Sequence, residues 1–131
     1  MFSAKVVSIF TVIILIITFT IWKLYLQDIS QQAKDDIAKG NKVVLLFSAK
    51  WCPTCTKEKP IFEKVKKEFP GIHFYDVTTD MNKVQQKLAF RFYKIHGIPT
   101  FVMYKNAKEV KRFSGLKSEE ELKEYFSSLI N

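Results

Sequence analysis

The stretch from Ser48 to Pro60, S-A-K-W-C-P-T-C-T-K-E-K-P, contains both cysteines of the 131-residue chain. Two cysteines separated by two residues are compatible with a structural disulfide, with half of a metal site or with a redox-active pair. A disulfide between Cys52 and Cys55 would close so short a loop that it would remove little entropy from the unfolded chain. A purely structural role therefore explains these cysteines poorly.

A metal site would need further ligands from elsewhere in the chain. Structural zinc sites use four protein ligands and catalytic sites use three. The chain has no other cysteine, and its two histidines, His73 and His96, fall on a predicted strand and in a predicted loop. We therefore predict no metal site.

The segments on either side of the cysteines predict a buried strand followed by a helix. The run K-V-V-L-L-F-S, Lys42 to Ser48, is short, continuous and apolar, as in strands that are buried on both faces. The run that begins at Cys55 has helical spacing, and Pro60 should remove one hydrogen bond and bend that helix. Its predicted inward residues are Ile61, Phe62, Val65 and Phe69.

This placement suits redox chemistry. A cysteine in the turn before a helix lies near free backbone N–H groups and the positive end of the helix dipole, which favour thiolate over thiol. Cys52 has that position, and Pro53 fits the first helical turn, where its missing N–H costs no hydrogen bond. Lys50 and Lys57 add positive charge nearby. Cys55 lies one turn further on and should point back toward Cys52.

The remaining soluble part alternates helices and strands before it ends in a hairpin and a helix. This order, α-β-α-β-α-β-β-α, predicts an α/β domain over residues 28–131 with a mixed sheet between two helical layers. The predicted elements outside the cysteine region are a short helix capped by Asp28 or Ser30 with Gly40 just past its end, a strand over Ile72–Thr78, a helix over Asp80–Lys94 with Met81, Val84, Leu88 and Phe92 inward, a hairpin formed by Thr100–Lys105 and Glu109–Ser114, and a closing helix capped by Ser118 and Glu121.

Residues 1–27 form a separate N-terminal segment. The run from Val6 to Trp22 has no charge, and as a helix extended to Leu26 it would cross a hydrocarbon layer of ~30 Å. A cleaved signal peptide is the alternative, in which case the domain is secreted; no small-x-small cleavage site follows the run. We predict a single-pass membrane anchor, with the domain on the extracytoplasmic side of the cell membrane because the short N-terminal flank carries Lys5.

The net charge of +8 does not indicate a nucleic-acid-binding protein. The lysines are interspersed with carboxylates in K-E-K, E-K-V-K-K-E and K-E-V-K-R instead of forming one basic stripe. They predict a solvated surface near anionic lipid and no nucleic-acid partner.

The motifs around the cysteines resemble those of the thioredoxin superfamily. W-C-P-T-C follows an apolar strand, and Pro60 is five residues beyond Cys55. A second motif, Gly97-Ile98-Pro99-Thr100, opens a later strand and resembles the thioredoxin loop whose proline is cis, while Gly115 matches another family glycine. The resemblance spans residues 29–131 and implies the three-layer α/β/α thioredoxin-like fold.

The resemblance also implies a role for each site residue. Cys52 would exchange disulfides with a client through a mixed disulfide that Cys55 resolves, so that their own disulfide serves in place of a bound cofactor. Ile98, Pro99 and Thr100 would bind an extended client peptide as an added strand. Trp51, Pro53, Thr54 and Lys57 would support the site; Trp51 would either pack beside the reactive sulfur or fill the end of the sheet.

One position departs from the family pattern. Many thioredoxin-like proteins have a buried acid six residues before the first cysteine, where this chain has Leu46. Proton transfer at Cys55 would then depend on water or on Glu58. His96, beside the Ile98 loop, would either tune Cys52 or lie solvated in its loop.

These features predict a monomeric protein thiol–disulfide oxidoreductase that acts on cysteines of extracytoplasmic proteins or peptides and exchanges electrons with a membrane or soluble thiol partner. Potentials across the superfamily span roughly −270 to −120 mV. Ile98 before the proline matches reducing thioredoxins and favours the reductase direction, whereas Pro53-Thr54 matches neither reductases nor strong oxidants. The alternatives are a disulfide-forming oxidase or isomerase and a non-catalytic thioredoxin-like module that binds peptides.

Overall fold

The structure is a computed structural model that describes residues 3–26, 29–77 and 81–131. After the N-terminal helix, its elements follow the order predicted from the sequence. The elements are α1 (Ala4–Leu26), α2 (Ile29–Ala38), β1 (Val43–Phe47), α3 (Pro53–Lys66), β2 (His73–Asp76), α4 (Lys83–Phe92), β3 (Thr100–Lys105), β4 (Lys108–Ser114) and α5 (Glu119–Ile130). The predicted boundaries at Asp28, Thr78 and Asp80 lie outside the described residues.

The four strands form one mixed sheet in the order β2-β1-β3-β4, which confirms the predicted sheet type. β1 pairs in parallel with β2 and antiparallel with β3, and β3 pairs antiparallel with β4. All five residues of β1 are buried, as its continuous apolar sequence predicts. Phe47, the last residue of β1, pairs with Thr100, the first of β3. The loop that contains the cysteines follows β1, and the Ile98 loop precedes β3, so the two loops meet at the same end of these inner strands.

Alternate residues of β1 point to opposite faces of the sheet, and each face has its own apolar cluster. On one face, Val44 and Leu46 pack with α3, α5 and a group of phenylalanines that includes Phe62, Phe101 and Phe126. On the other face, the remaining β1 side chains pack with Ala33 of α2 and with residues of α4. The two clusters establish the predicted three layers.

Two predicted helix faces differ from the structure. α3 ends at Lys66, so Phe69 lies beyond the helix, although it is still buried among the phenylalanines. The inward face predicted for α4 is wrong, because Val84, Leu88 and Phe92 are exposed. Ala89 and Tyr93 are buried in their place, since they lie on the side of α4 that covers β1.

α1 is the one helix among the described residues that is long and apolar enough to cross a membrane, from Ala4 to Lys23, a property that signal sequences share. None of this segment is buried against the rest of the protein. Its threonines Thr11, Thr18 and Thr20 donate hydrogen bonds to carbonyl oxygens one turn earlier in the helix. Neither apolar cluster includes a side chain of Ala4–Lys23, the part of α1 whose burial the structure describes.

Candidate active site

Cys52 and Cys55 form a disulfide at the start of α3, with 5.2 Å between their Cα atoms. Cys52 is the N-cap residue, in an extended conformation, and Pro53 occupies the first turn of the helix. Both cysteines are buried, and they pack with Ala49 and Ile98 in a small cluster at the end of β1 and the start of β3. The structure thus brings together the predicted redox pair and the residue that precedes the cis proline.

The first turn of α3 places hydrogen-bond donors at both the sulfur and the carbonyl oxygen of Cys52. The Cys55 backbone N–H donates to Cys52 Sγ at 3.2 Å. The backbone N–H and the hydroxyl of Thr56 both donate to the carbonyl oxygen of Cys52. Because free N–H groups and the helix dipole favour an anion at this end of a helix, reduction of the disulfide leaves Cys52 in a site that favours thiolate.

The loop opposite the disulfide is fixed by hydrogen bonds on both sides. The Ile98–Pro99 peptide bond is cis. The Thr100 hydroxyl donates to the carbonyl oxygen of Gly97 at 2.6 Å, and the Gly115 N–H donates to that of Pro99 at 2.9 Å. Gly115 has a φ of +87°, which only glycine adopts without strain. Pro99 and Thr100 are buried, whereas Ile98 is partly exposed beside the cysteines.

Trp51 is 79% exposed. The interpretation that it fills the end of the sheet is therefore wrong. Together with Ala49 it forms one wall of a groove of about 270 Å³, whose opposite wall consists of the α4 residues Gln86, Lys87, Phe90 and Arg91. Thr54 and Lys57, the other predicted supporting residues, are exposed on the first turns of α3, and His96 is exposed in its loop.

The structure contains an acidic group near the site that the sequence pattern did not identify. Asp76 on β2 lies directly beside Leu46 of β1, and its largely buried carboxylate forms an ion pair with Lys59 of α3 at 3.0 Å. Lys59 also lines a cleft of about 280 Å³ that reaches Cys55. Leu46, where the family pattern has an acid, therefore has a carboxylate beside it on the neighbouring strand, and strand register, which a single sequence does not reveal, is the signal that identifies this neighbour.

Glu58, the acid proposed from the sequence for proton transfer at Cys55, lies on α3 and is fully buried. Its Oε2 accepts a hydrogen bond from the Lys117 backbone N–H at 2.7 Å, and its Oε1 has no hydrogen-bond partner in the described part of the chain. Burial raises the pKa of the Glu58 carboxyl above its ordinary 4.5, although the Lys117 N–H acts in the opposite direction. Glu58 therefore favours its protonated form more than a carboxyl in water does.

The raised pKa of Glu58 makes stability depend on pH. Because the folded state holds this proton more tightly than the unfolded state, the free energy of unfolding falls as the pH rises from the ordinary pKa through the raised one. Glu58→Gln cannot ionise but keeps an oxygen for the Lys117 N–H. We expect its stability relative to the wild type to increase from acid to neutral pH, as measured by urea unfolding at a series of pH values. Glu63→Gln, at a partly exposed position of α3, is the control, and pH curves of Glu58→Gln and wild type that stay parallel would contradict the prediction.

The described residues contain no group of three or more His, Cys, Asp or Glu side chains that could hold a metal ion. The redox-active group of the site is the disulfide of Cys52 and Cys55. A dithiol and a disulfide interconvert by thiolate attack, with no bound group besides the client.

Comparisons with known proteins agree with this geometry. The family model described as Thioredoxin matches residues 26–128. The chain is 36% identical to a thioredoxin from Gallus gallus over 94 residues, which cover 71% of this chain and 85% of that protein. It is 31% identical to a thioredoxin from Chlamydia pneumoniae over 103 residues, which cover 79% and 93%.

Among solved structures, the thioredoxin of Fasciola hepatica aligns with a TM-score of 0.62 and 34% identity, over 75% of this chain and 88% of that one. This likeness confirms the predicted thioredoxin-like α/β fold. The family match and the Cys52–Cys55 disulfide together show thiol–disulfide oxidoreductase activity, with proteins that carry disulfides as substrates. The chain is a member of the thioredoxin family.

Proposed function

We propose that this protein is a membrane-anchored reductase that keeps cysteines of extracytoplasmic proteins reduced. The observation that carries the proposal is the disulfide of Cys52 and Cys55 at the N-terminus of α3, packed against Ile98 of the cis-proline loop. An attacking sulfur, a resolving sulfur and a surface for the client lie together there. α1, which precedes the domain, supplies the anchor.

In the proposed reaction, the Cys52 thiolate attacks one sulfur of a client disulfide. The client disulfide breaks, a Cys52–client disulfide forms, and the departing client sulfur takes up a proton. Cys55 then loses its proton and attacks Cys52 Sγ, which releases the second client thiol and forms the Cys52–Cys55 disulfide. Two electrons and two protons pass from the dithiol to the client. A thiol partner in the membrane or in solution then reduces the Cys52–Cys55 disulfide back to the dithiol.

The client is proposed to bind in an extended conformation along the Ile98 loop. Peptides bind in this way when they add a strand to an available edge of backbone. Pro99 and Thr100 are buried and hydrogen-bonded, so the loop offers Ile98 in one fixed position beside the disulfide. Trp51, Pro53, Thr54 and Lys57, which lie close to the cysteines in the sequence, are proposed to support the site.

The proposed location rests on α1 and its flanks. Lys5 and the N-terminal amine precede the apolar run, which favours an N-terminus inside the cell and a domain outside it. Cleavage of residues 1–27 would instead release the same domain as a secreted enzyme. The reductase direction is proposed because Ile98 precedes the cis proline, as it does in the reducing thioredoxins that the sequence resembles.

Trapping a client in intact cells tests the location, and the redox potential of the wild-type dithiol tests the direction. In a full-length Cys55→Ser chain, the mixed disulfide on Cys52 cannot be resolved, so extracytoplasmic clients should be recovered with it. A membrane-impermeant maleimide should label Cys52 of this variant after mild reduction, and Cys52→Ser/Cys55→Ser is the control for both measurements. The absence of extracytoplasmic clients, or labelling only after lysis, would contradict the location. A potential of the wild-type dithiol at or above about −150 mV would indicate an oxidase instead.

A further inference from the structure

The outward face of α4 exposes three apolar side chains in one stripe. Val84, Leu88 and Phe92 are 67%, 59% and 62% exposed. Their spacing of four residues places them along one side of the helix, while Ala89 and Tyr93, the residue that follows the helix, are buried against the sheet. Single exposed apolar residues are common, but a contiguous set on one face indicates an interaction surface.

A row of basic residues runs along the same face of α4. Lys83, Lys87 and Arg91 each precede one residue of the apolar stripe and share its spacing. The sequence has no Asp or Glu between Met81 and Lys108. We call these six residues the α4 outer face: Val84, Leu88 and Phe92 with Lys83, Lys87 and Arg91. An apolar stripe beside a basic row is typical of helices that lie in the interface of an anionic membrane.

The fold places this face next to the helix that follows α1. Lys34 of α2 lies over the ring of Phe92, with its Nζ 4.4 Å from the ring centroid. α2 begins at Ile29, and α1 ends at Leu26. The apolar stripe therefore ends beside the element that connects the domain to its proposed anchor.

We propose that the α4 outer face rests on the anionic lipid surface beside the anchor, with the apolar stripe at the level of the headgroups and the basic row on their phosphates. This proposal rests on the membrane anchor of the proposed function. It has a consequence for the active site, because Lys87 and Arg91 also line the groove beside Trp51. The bound lipid surface would form a boundary of that groove, so that clients approach the disulfide along the membrane.

The domain without α1 allows this surface to be tested separately from the anchor. Both apolar clusters of described residues lie within residues 33–129, so a fragment of residues 27–131 retains all of their members. We expect this fragment to co-sediment with equimolar phosphatidylcholine–phosphatidylglycerol vesicles at low salt and much less with phosphatidylcholine vesicles. The triple variant Val84→Ser/Leu88→Ser/Phe92→Ser should bind the anionic vesicles about tenfold less, because binding follows the buried apolar area.

Removing the charges should have a separate effect. Lys87→Gln/Arg91→Gln should lower the partition coefficient about 25-fold, since each basic side chain at an anionic surface contributes about fivefold. Matched controls lie away from α4: Val110→Ser, at a 53% exposed position of β4, and Lys67→Gln/Lys108→Gln should bind as the unmodified fragment does. Retained reduction of a protein disulfide in solution will show that the apolar triple variant is folded.

Three results would overturn the proposal. These are equal binding to both kinds of vesicle, unchanged binding of the apolar triple variant, and self-association of the lipid-free fragment that Leu88→Ser abolishes, which would make a second copy the occupant of the face. The anchor has its own test, because the full-length chain should stay in the membrane fraction after alkaline carbonate extraction. Release of the full-length chain with normal vesicle binding by the fragment would contradict the anchor alone.

Discussion

Replacing Cys52 with serine will reduce the turnover of a protein disulfide to the uncatalysed background. In the proposed reaction the Cys52 sulfur attacks the client disulfide, and this sulfur lies at the N-terminus of α3, where the Cys55 N–H contacts it. The measurement is the rate of insulin disulfide reduction with an excess of a small dithiol. Ser128→Ala, at an exposed position near the end of α5, is the control and should keep the wild-type rate.

Cys55→Ser should fail in a different way, which separates the two roles. This variant keeps the attacking sulfur, so it should form one mixed disulfide per molecule and then stop. Mass spectrometry of the quenched reaction distinguishes this arrested complex from the unreacted Cys52→Ser chain. Turnover by Cys52→Ser through Cys55 would contradict the assignment of Cys52 as the attacking residue.

Replacing Phe126 with alanine is expected to lower the free energy of unfolding by about 3–5 kcal/mol. Phe126 is fully buried, and its ring contacts the rings of Phe62, Phe69, Phe74 and Phe101 at centroid distances of 5.1 to 6.5 Å. Truncation would leave a cavity among rigid rings that cannot easily close, because β1, β3, α3 and α5 hold them in place. Urea unfolding of the 27–131 fragment measures the change.

Phe92→Ala is the matched control for this substitution. It removes the same atoms from an exposed position, where changes usually alter stability by about 0.5 kcal/mol or less. Equal losses for Phe92→Ala and Phe126→Ala would mean that the outward orientation of Phe92 is wrong. That result would also remove the basis for the α4 outer face.

The sequence predicted the fold wherever one strong local signal pointed to one structure. The run V-V-L-L-F forms the central strand because it is apolar throughout, and all of it is buried. Ser118 and Glu121 form the predicted capping box at the start of α5. The motifs W-C-P-T-C and I-P-T both resemble parts of the thioredoxin active site and therefore predicted one fold. The pairing of Phe47 with Thr100 brings the cysteines and the Ile98 loop together at the end of β1.

Predictions from the sequence failed where two structures fitted the same local pattern. α4 has apolar residues on two sides, with Val84, Leu88 and Phe92 on one and Ala89, Phe90 and Tyr93 on the other. Periodicity predicts a helix in either case, but it does not show which face packs on the sheet. Likewise, Asp76 lies beside Leu46 on the adjacent strand, and only the strand register shows that the two positions are neighbours.

In the proposed membrane-anchored protein, the short connection between α1 and α2 limits how far the domain can lie from the bilayer. From the last residue of α1 to the first of α2 there are three Cα–Cα steps, which span at most about 11 Å. With α1 in the bilayer, the domain therefore cannot reach cysteines at the membrane-distal end of a large extracytoplasmic protein. Its clients must bring their cysteines down to the membrane surface or be small enough to diffuse along it, so selection among clients becomes a question of the height of their cysteines above the bilayer.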